Sequence, residues 1–255
     1  MARVIVITSG KGGVGKSTVT ALLGKSLAKL QKRVALIDCD LGLKNLDVLL
    51  GLESRVVYDF EDVRKGRASL WQALVKDKEY NNLYLLPACL RTDISSIESS
   101  ELETVLKEMD SSFDYILIDS PAGIEKGFHQ AIHFAHEALV VVTLDKVSIK
   151  DADKVIGLLE SEGIQNIQVL INRVPLKESD KSACISYQDV ERILQKKILG
   201  SFYESKEIRR AQNHHLEMKK ELGPFLIVAS ALCGEIIQKE PESLWKRIMK
   251  KVRSS

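Results

Sequence analysis

The chain has 255 residues, 45% hydrophobic and 28% charged, with a formal net charge of +2. That length carries one large core, and that composition is ordinary for a globular protein, excluding disordered, collagen-like and disulfide-stapled classes. The near-neutral balance excludes a global basic field for nucleic acid, and no apolar run approaches the ~20 residues of a spanning helix.

The first predicted element is a buried strand over residues 3–8. It is too short for a secretory signal and leads straight into a glycine-rich loop. That loop, Gly10-Lys11-Gly12-Gly13-Val14-Gly15-Lys16-Ser17, fits the phosphate-binding pattern G-x-x-x-x-G-K-[ST], and a helical pattern over 16–30 follows it. Glycines let the backbone take positive φ and come close to anionic oxygens. Consecutive N–H groups from Gly12 to Thr18 then face one concavity, to which the helix N-terminus adds its dipole. Lys16 is expected to reach the β- and γ-phosphates, and the Ser17 hydroxyl to ligate Mg²⁺. Lys11 is an extra lysine one residue after the first glycine; read from the residues alone, it is either a second phosphate ligand or a solvated loop side chain.

A second buried strand, 33–38, ends in Asp38-Cys39-Asp40. If the extension persists, Asp38 and Asp40 point the same way, since side chains repeat every two residues. The alternative is a pair of carboxylates capping a solvated loop. Further strands are predicted at 83–86, 115–118, 138–143, 167–171 and 198–202, with helices near 98–111, 125–135, 148–161, 186–196 and 206–220. The alternation is that of an α/β fold, a doubly wound, mostly parallel sheet with helices on both faces, in which ligands collect at the carboxyl ends of strands. Asp119 stands at such an end, before Ser120-Pro121-Ala122-Gly123, where a carboxylate can hold Mg²⁺ directly or through water. Asn172 and Arg173 follow the 167–171 strand, as a ligand contact or as turn formers.

His129, His133 and His136 are spaced i, i+4, i+7 and are expected on one helix face. Zinc binding is one use of such a face; a surface or partner-facing helix is the commoner one. The four cysteines, Cys39, Cys89, Cys184 and Cys233, form no C-x-x-C pair and read as scattered reduced thiols.

Residues 241–255 carry five basic side chains and one acid, so the remaining residues are net negative. From Pro241 a helix start is signalled. Leu244, Trp245, Ile248, Met249 and Val252 then cover one arc, and Lys246, Arg247, Lys250, Lys251 and Arg253 the other. This is the pattern of an interfacial helix on anionic lipid, the alternative being a helix docked on the core. The chain divides accordingly into a phosphate-loop domain, 1–240, and a membrane-targeting helix, 241–255.

The K-G-G-x-G-K-[ST] form of the loop resembles the deviant Walker A loops of the ParA/MinD ATPases. The run from Asp38 to Asp47 is similar to the D-x-D-x-G-x-[RK]-N-L-D segment of the MinD branch, and Val56 to Phe60, Ala73-Leu74 and the D-x-P-A-G after Asp119 agree with it. The likeness is dense over 1–135 and thinner beyond. One departure is Thr143-Leu144-Asp145-Lys146, where relatives have T-x-P-E. The resemblance implies ATP and Mg²⁺ as cofactors, with a nucleotide-sandwich homodimer in which Lys11 reaches the partner's phosphates. It further implies that Asp38 lies near the magnesium shell, that Asp40 positions the attacking water, that Asn45 lines the interface, and that Asn172 and Arg173 meet adenine. A slow ATPase cycling between the cytoplasm and the inner face of the cell membrane is expected, placing the division septum with a MinC-like effector and an activator. A flagellar-number relative, a ParA-type DNA-partition ATPase and a catalytically dead scaffold are the other readings; the net-negative body argues against nucleic acid.

Overall fold

The computed structural model describes residues 1–39, 46–88, 99–123, 126–176, 184–208, 210 and 222–234. The eight strands are β1 (Arg3–Thr8), β2 (Val34–Asp38), β3 (Val75–Lys76), β4 (Leu83–Leu86), β5 (Tyr115–Asp119), β6 (Glu137–Val142), β7 (Asn166–Val174) and β8 (Ile198–Tyr203). They form one sheet in the order β3-β4-β2-β5-β1-β6-β7-β8, parallel throughout except for the antiparallel pair of β3 with β4. The doubly wound expectation is met. β2, β4, β5 and β1 lie on one side of the winding and β6, β7 and β8 on the other, so the order reverses beside β1, and the crevice at its carboxyl end is where such sheets bind ligands.

Both faces are covered, which is why the strands read as unbroken apolar runs. Ile5 and Ile7 face one core with α1 (Lys16–Lys29), α2 (Leu46–Leu50) and α9 (Leu222–Leu232). Val4 and Val6 face the other, with α3 (Phe60–Arg64), α4 (Leu70–Ala73), α5 (Ser99–Asp110), α6 (Lys126–Ile132), α7 (Lys146–Ser161) and α8 (Tyr187–Leu194).

Several features depart from the sequence reading. α9 has no counterpart among the predicted helices, and it opens on Leu222-Gly223-Pro224. Gly223 and Pro224 fall in its first turn, where a missing N–H costs nothing, and its apolar body is held by Phe225 stacked on Phe202 of β8, centroids 3.8 Å apart. β7 runs to Val174, three residues beyond the strand predicted at 167–171. The three histidines do not share a helix face, since α6 stops at Ile132. Beyond it the chain turns, with the Ala135 amide donating to the Ile132 carbonyl, and enters the sheet at His136, whose amide donates to the Val4 carbonyl. His129 instead meets Glu162 at 3.1 Å. No cluster of metal-ligating side chains occurs among the described residues. Beyond residues 206–208 and 210, the helix predicted to Lys220 lies outside the described residues, as does the tail from 235 to 255 with Leu244, Trp245, Ile248, Met249 and Val252.

Candidate functional site

The loop of residues 10–15 joins the carboxyl end of β1 to the first turn of α1. Gly13 and Gly15 take φ of 78° and 95°, and Gly15, left-handed, is the N-terminal flanking residue of α1. Gly10 has its own constraint. A Cβ there would stand 2.3 Å from the backbone carbonyl of Asp151 in α7, so only glycine lets that helix pack on the loop.

Lys16 is the first residue of α1. Its Nζ donates to Asp119 Oδ1 at 2.7 Å, with only 6% of the lysine side chain and 1% of the aspartate exposed. The Thr20 hydroxyl, one turn further on, lies 3.2 Å from the same carboxylate oxygen and 3.1 Å from the Lys16 carbonyl. Sequence reasoning missed Thr20; its signal is the spacing from Lys16, which puts it on the same face of the helix. Asp119 ends β5 in register with Asp38, the last residue of β2. Asp38 is buried and accepts from the Leu46 amide at 3.3 Å. Ser17 and Thr18, half-buried, complete the first turn of α1. The oxygens of Ser17, Asp38 and Asp119 are the hard donors that suit Mg²⁺, and the glycine loop ahead of a helix N-terminus suits a polyphosphate. Asp40 and Asn45 lie outside the described residues.

The segment after β5 is tied back to the loop. The Ser120 amide donates to the Ile7 carbonyl at 3.1 Å, and the Gly123 amide to the Ser9 carbonyl at 3.0 Å. On the other flank, Lys11 reaches Asp145 at 3.4 Å within its own chain. Asp145 caps α7: its carboxylate accepts from the Ser148 amide at 3.0 Å and from the Thr143 hydroxyl at 2.6 Å. The Ser148 hydroxyl in turn accepts from the Thr143 amide at 3.0 Å. Burial pushes this carboxyl up, but the hydrogen bonds from Thr143, Ser148 and Lys11 outweigh it and hold the group below its ordinary 3.8. Sequence reasoning noted Asp145 only as a departure; the cap signal was Asp145 directly before the helical run, three residues ahead of Ser148.

Asn172 donates its amide to the Val14 carbonyl at 2.8 Å, and so lies against the loop itself. Arg173 beside it is exposed, with φ of 55°. Thus Lys11, Lys16, Asp119 and Asn172 gather on or beside the loop, with Asp38 in register next to Asp119.

Loop, helix dipole, buried lysine and paired carboxylates on a doubly wound sheet define a P-loop nucleotide-binding protein. Residues 5–218 match the model of the CobQ/CobB/MinD/ParA nucleotide binding domain, and the chain belongs to that family, on the side of the MinD septum site-determining proteins. It is 48% identical over 215 residues to the septum site-determining protein MinD of Thermotoga maritima, covering 84% of this chain and 79% of that protein. The structure is similar to MinD in the MinC:MinD cell division protein complex of Aquifex aeolicus, with TM-score 0.86 and 44% identity over 94% of this chain and 98% of that one. It is also similar to MinD of Pyrococcus horikoshii complexed with Mg-ADP, with TM-score 0.79 and 28% identity over 91% and 96% of the two chains.

Proposed function

We propose that this chain is a MinD-type ATPase that pairs across ATP, holds the inner face of the cell membrane while paired, and helps to place the division septum. The observation that carries this reading is the buried Lys16–Asp119 pair at the mouth of a loop bearing a second lysine, Lys11. The pair brings a buried cation and a buried anion to the loop, so that a phosphate oxygen can take the carboxylate's place on Lys16 and a metal ion the lysine's place on Asp119.

On ATP binding, the amides of residues 12–18 hold the phosphates and Lys16 exchanges Asp119 for β- and γ-oxygens. Ser17, Asp38 and Asp119 would hold Mg²⁺, which would supply positive charge beside the phosphates. Asp40 positions the water, Asn45 lines the interface, and Asn172 and Arg173 flank adenine. Lys11 leaves Asp145, a half-exposed pair worth under ~1 kcal/mol, and reaches the phosphates held by the second copy. A positive charge delivered where negative charge accumulates is the largest available term in such a transfer. The complex solved for the Aquifex protein supports a MinC-like effector as partner, and the slow cycle calls for an activator.

Light scattering tests the pairing. With a nonhydrolysable ATP analogue the full chain is expected to double in mass, with ADP to remain single, and Lys11→Ala to cut hydrolysis at least ten-fold. A single chain in both nucleotide states removes the reading.

A further inference from the structure

We propose that Asn172 is a positioning residue of the phosphate loop, one that fixes the Val14–Gly15 peptide so that its N–H serves the phosphates whatever base the nucleotide carries. This rests on the nucleotide-site reading above and adds to it a role separate from any contact with adenine.

The proposal starts from an irregularity in β7. Between Ile171 and Val174 that strand advances three residues, while its partner β8 advances two, from Ser201 to Tyr203. One extra residue on one strand is a bulge, which bends the strand and re-aims its side chains. Arg173 absorbs it at φ 55°, an uncommon conformation for a residue with a Cβ. The consequence is visible in the packing. Ile171 and Val174, three apart, both enter the core layer under α7, where a regular strand would send them to opposite faces. The residue between them and Arg173 is Asn172, at the loop.

The contact at the loop is tight and chemically one-sided. A carbonyl oxygen only accepts, so the Asn172 atom 2.8 Å from the Val14 carbonyl is the amide nitrogen as donor. Gly15 is left-handed, and a Cβ on it would stand 2.4 Å from that same nitrogen. Glycine at 15 therefore serves two ends, the turn into α1 and the approach of Asn172.

A trans peptide is planar, with its C=O and N–H pointing in opposite directions. Holding the Val14 oxygen on Asn172 sends the Gly15 N–H the other way, which on this proposal is toward the phosphates. Without that bond the peptide is free to rotate about its flanking torsions, which glycine permits in either sense. A rotated peptide would turn a carbonyl toward the phosphates and withdraw one donor. Strain held at Arg173 is the structural cost of keeping this from happening.

The test uses the full chain and three titrants: MgATP, MgGTP and magnesium tripolyphosphate. Asn172→Ala is expected to weaken all three by a similar factor, roughly ten-fold, the worth of one hydrogen bond. Hydrogen exchange at the amides of residues 13–16 in nucleotide-free protein is expected to accelerate, with the melting temperature near that of the parent. Asn172→Asp keeps the size and shape, removes the donor and is expected to match it. A loss confined to ATP, with unchanged loop exchange, makes Asn172 a base contact only and overturns the proposal. If the parent chain binds none of the three titrants, the nucleotide-site reading fails instead, and the exchange measurement still decides whether the loop is clamped.

Discussion

Lys16 and Asp119 meet almost out of water, and that sets what either does alone. Separating charges of opposite sign inside a protein leaves the survivor buried without its counter-ion, at a cost of about 3–5 kcal/mol, whereas replacing both by apolar groups of like volume is close to neutral. Asp119→Ala is therefore expected to lower the unfolding free energy by about that amount in the absence of nucleotide. Lys16→Met combined with Asp119→Leu is expected to recover most of it while binding no ATP. Urea unfolding followed by circular dichroism reads both. A double variant no more stable than the single one would mean that the pair is not the seat of the effect. The phosphate loop was legible from the residues because its spacing is fixed by backbone geometry, and Asp119 was legible because it closes an apolar strand. Thr20, Asp145 and the turn of Asn172 toward Val14 were not. Each acts through a partner more than 90 positions away, from Asp119 to Thr20, from Lys11 to Asp145, and from Val14 to Asn172, and a single sequence does not display such pairings.

At the scale of elements, α7 is the part that ties the loop to the rest of the sheet's second face. Its backbone rests on Gly10 and its cap holds Lys11. The cap and the ion pair can be parted, since asparagine caps a helix about as well as aspartate but carries no charge. Asp145→Ala is expected to cost about 1 kcal/mol, and Asp145→Asn distinctly less. The pH dependence follows from the lowered carboxyl. A group held below its ordinary 3.8 in the folded chain contributes stability that is present above that value and lost as pH falls through the folded one. The gap between parent and Asp145→Ala should thus be constant near neutrality and close in acid; a gap that widens in acid would place the charge on the wrong side of the balance. Elements whose signals are local were legible, including nearly every strand. α9 was not, because its stability comes from packing of Phe225, Val228 and Ala229 against α1 and β8 rather than from its opening Leu222-Gly223-Pro224. The short helices α3 and α4 were also passed over, although each carries a capping box, Asp59 with Asp62 and Ser69 with Gln72.

At the scale of the whole molecule, the point where the chain leaves α9 bears on how nucleotide could govern the proposed membrane-targeting tail. The carbonyl of Leu232, the last residue of α9, accepts from the Arg3 guanidinium and, at 3.2 Å, from the Tyr115 hydroxyl. Burial and the neighbouring Cys233 thiol push that phenol up to about 12, so it remains a donor at any physiological pH. Arg3, fixed in turn by Glu137 at 2.6 Å, and Tyr115 open β1 and β5, whereas the phosphate loop and Asp119 close them. At about 3.3 Å per residue, the six residues of β1 set the root of the tail roughly 20 Å from the loop. A nucleotide at the loop is therefore remote from Leu232, and contact at that point is not a route by which it could act on the residues that follow. On the proposed function, pairing is the route: a single short amphipathic helix would hold lipid weakly, and two on one particle would gain avidity of about 10²–10⁴. Anionic vesicles should accordingly sediment the full chain with a nonhydrolysable ATP analogue and leave it in solution with ADP. Removal of residues 241–255 should abolish sedimentation while leaving pairing by light scattering intact. Attaching a constitutively dimeric coiled coil ahead of residue 1 should make sedimentation independent of nucleotide. Equal pelleting of the unmodified chain with ATP analogue and with ADP would show that pairing is not what nucleotide supplies to the tail.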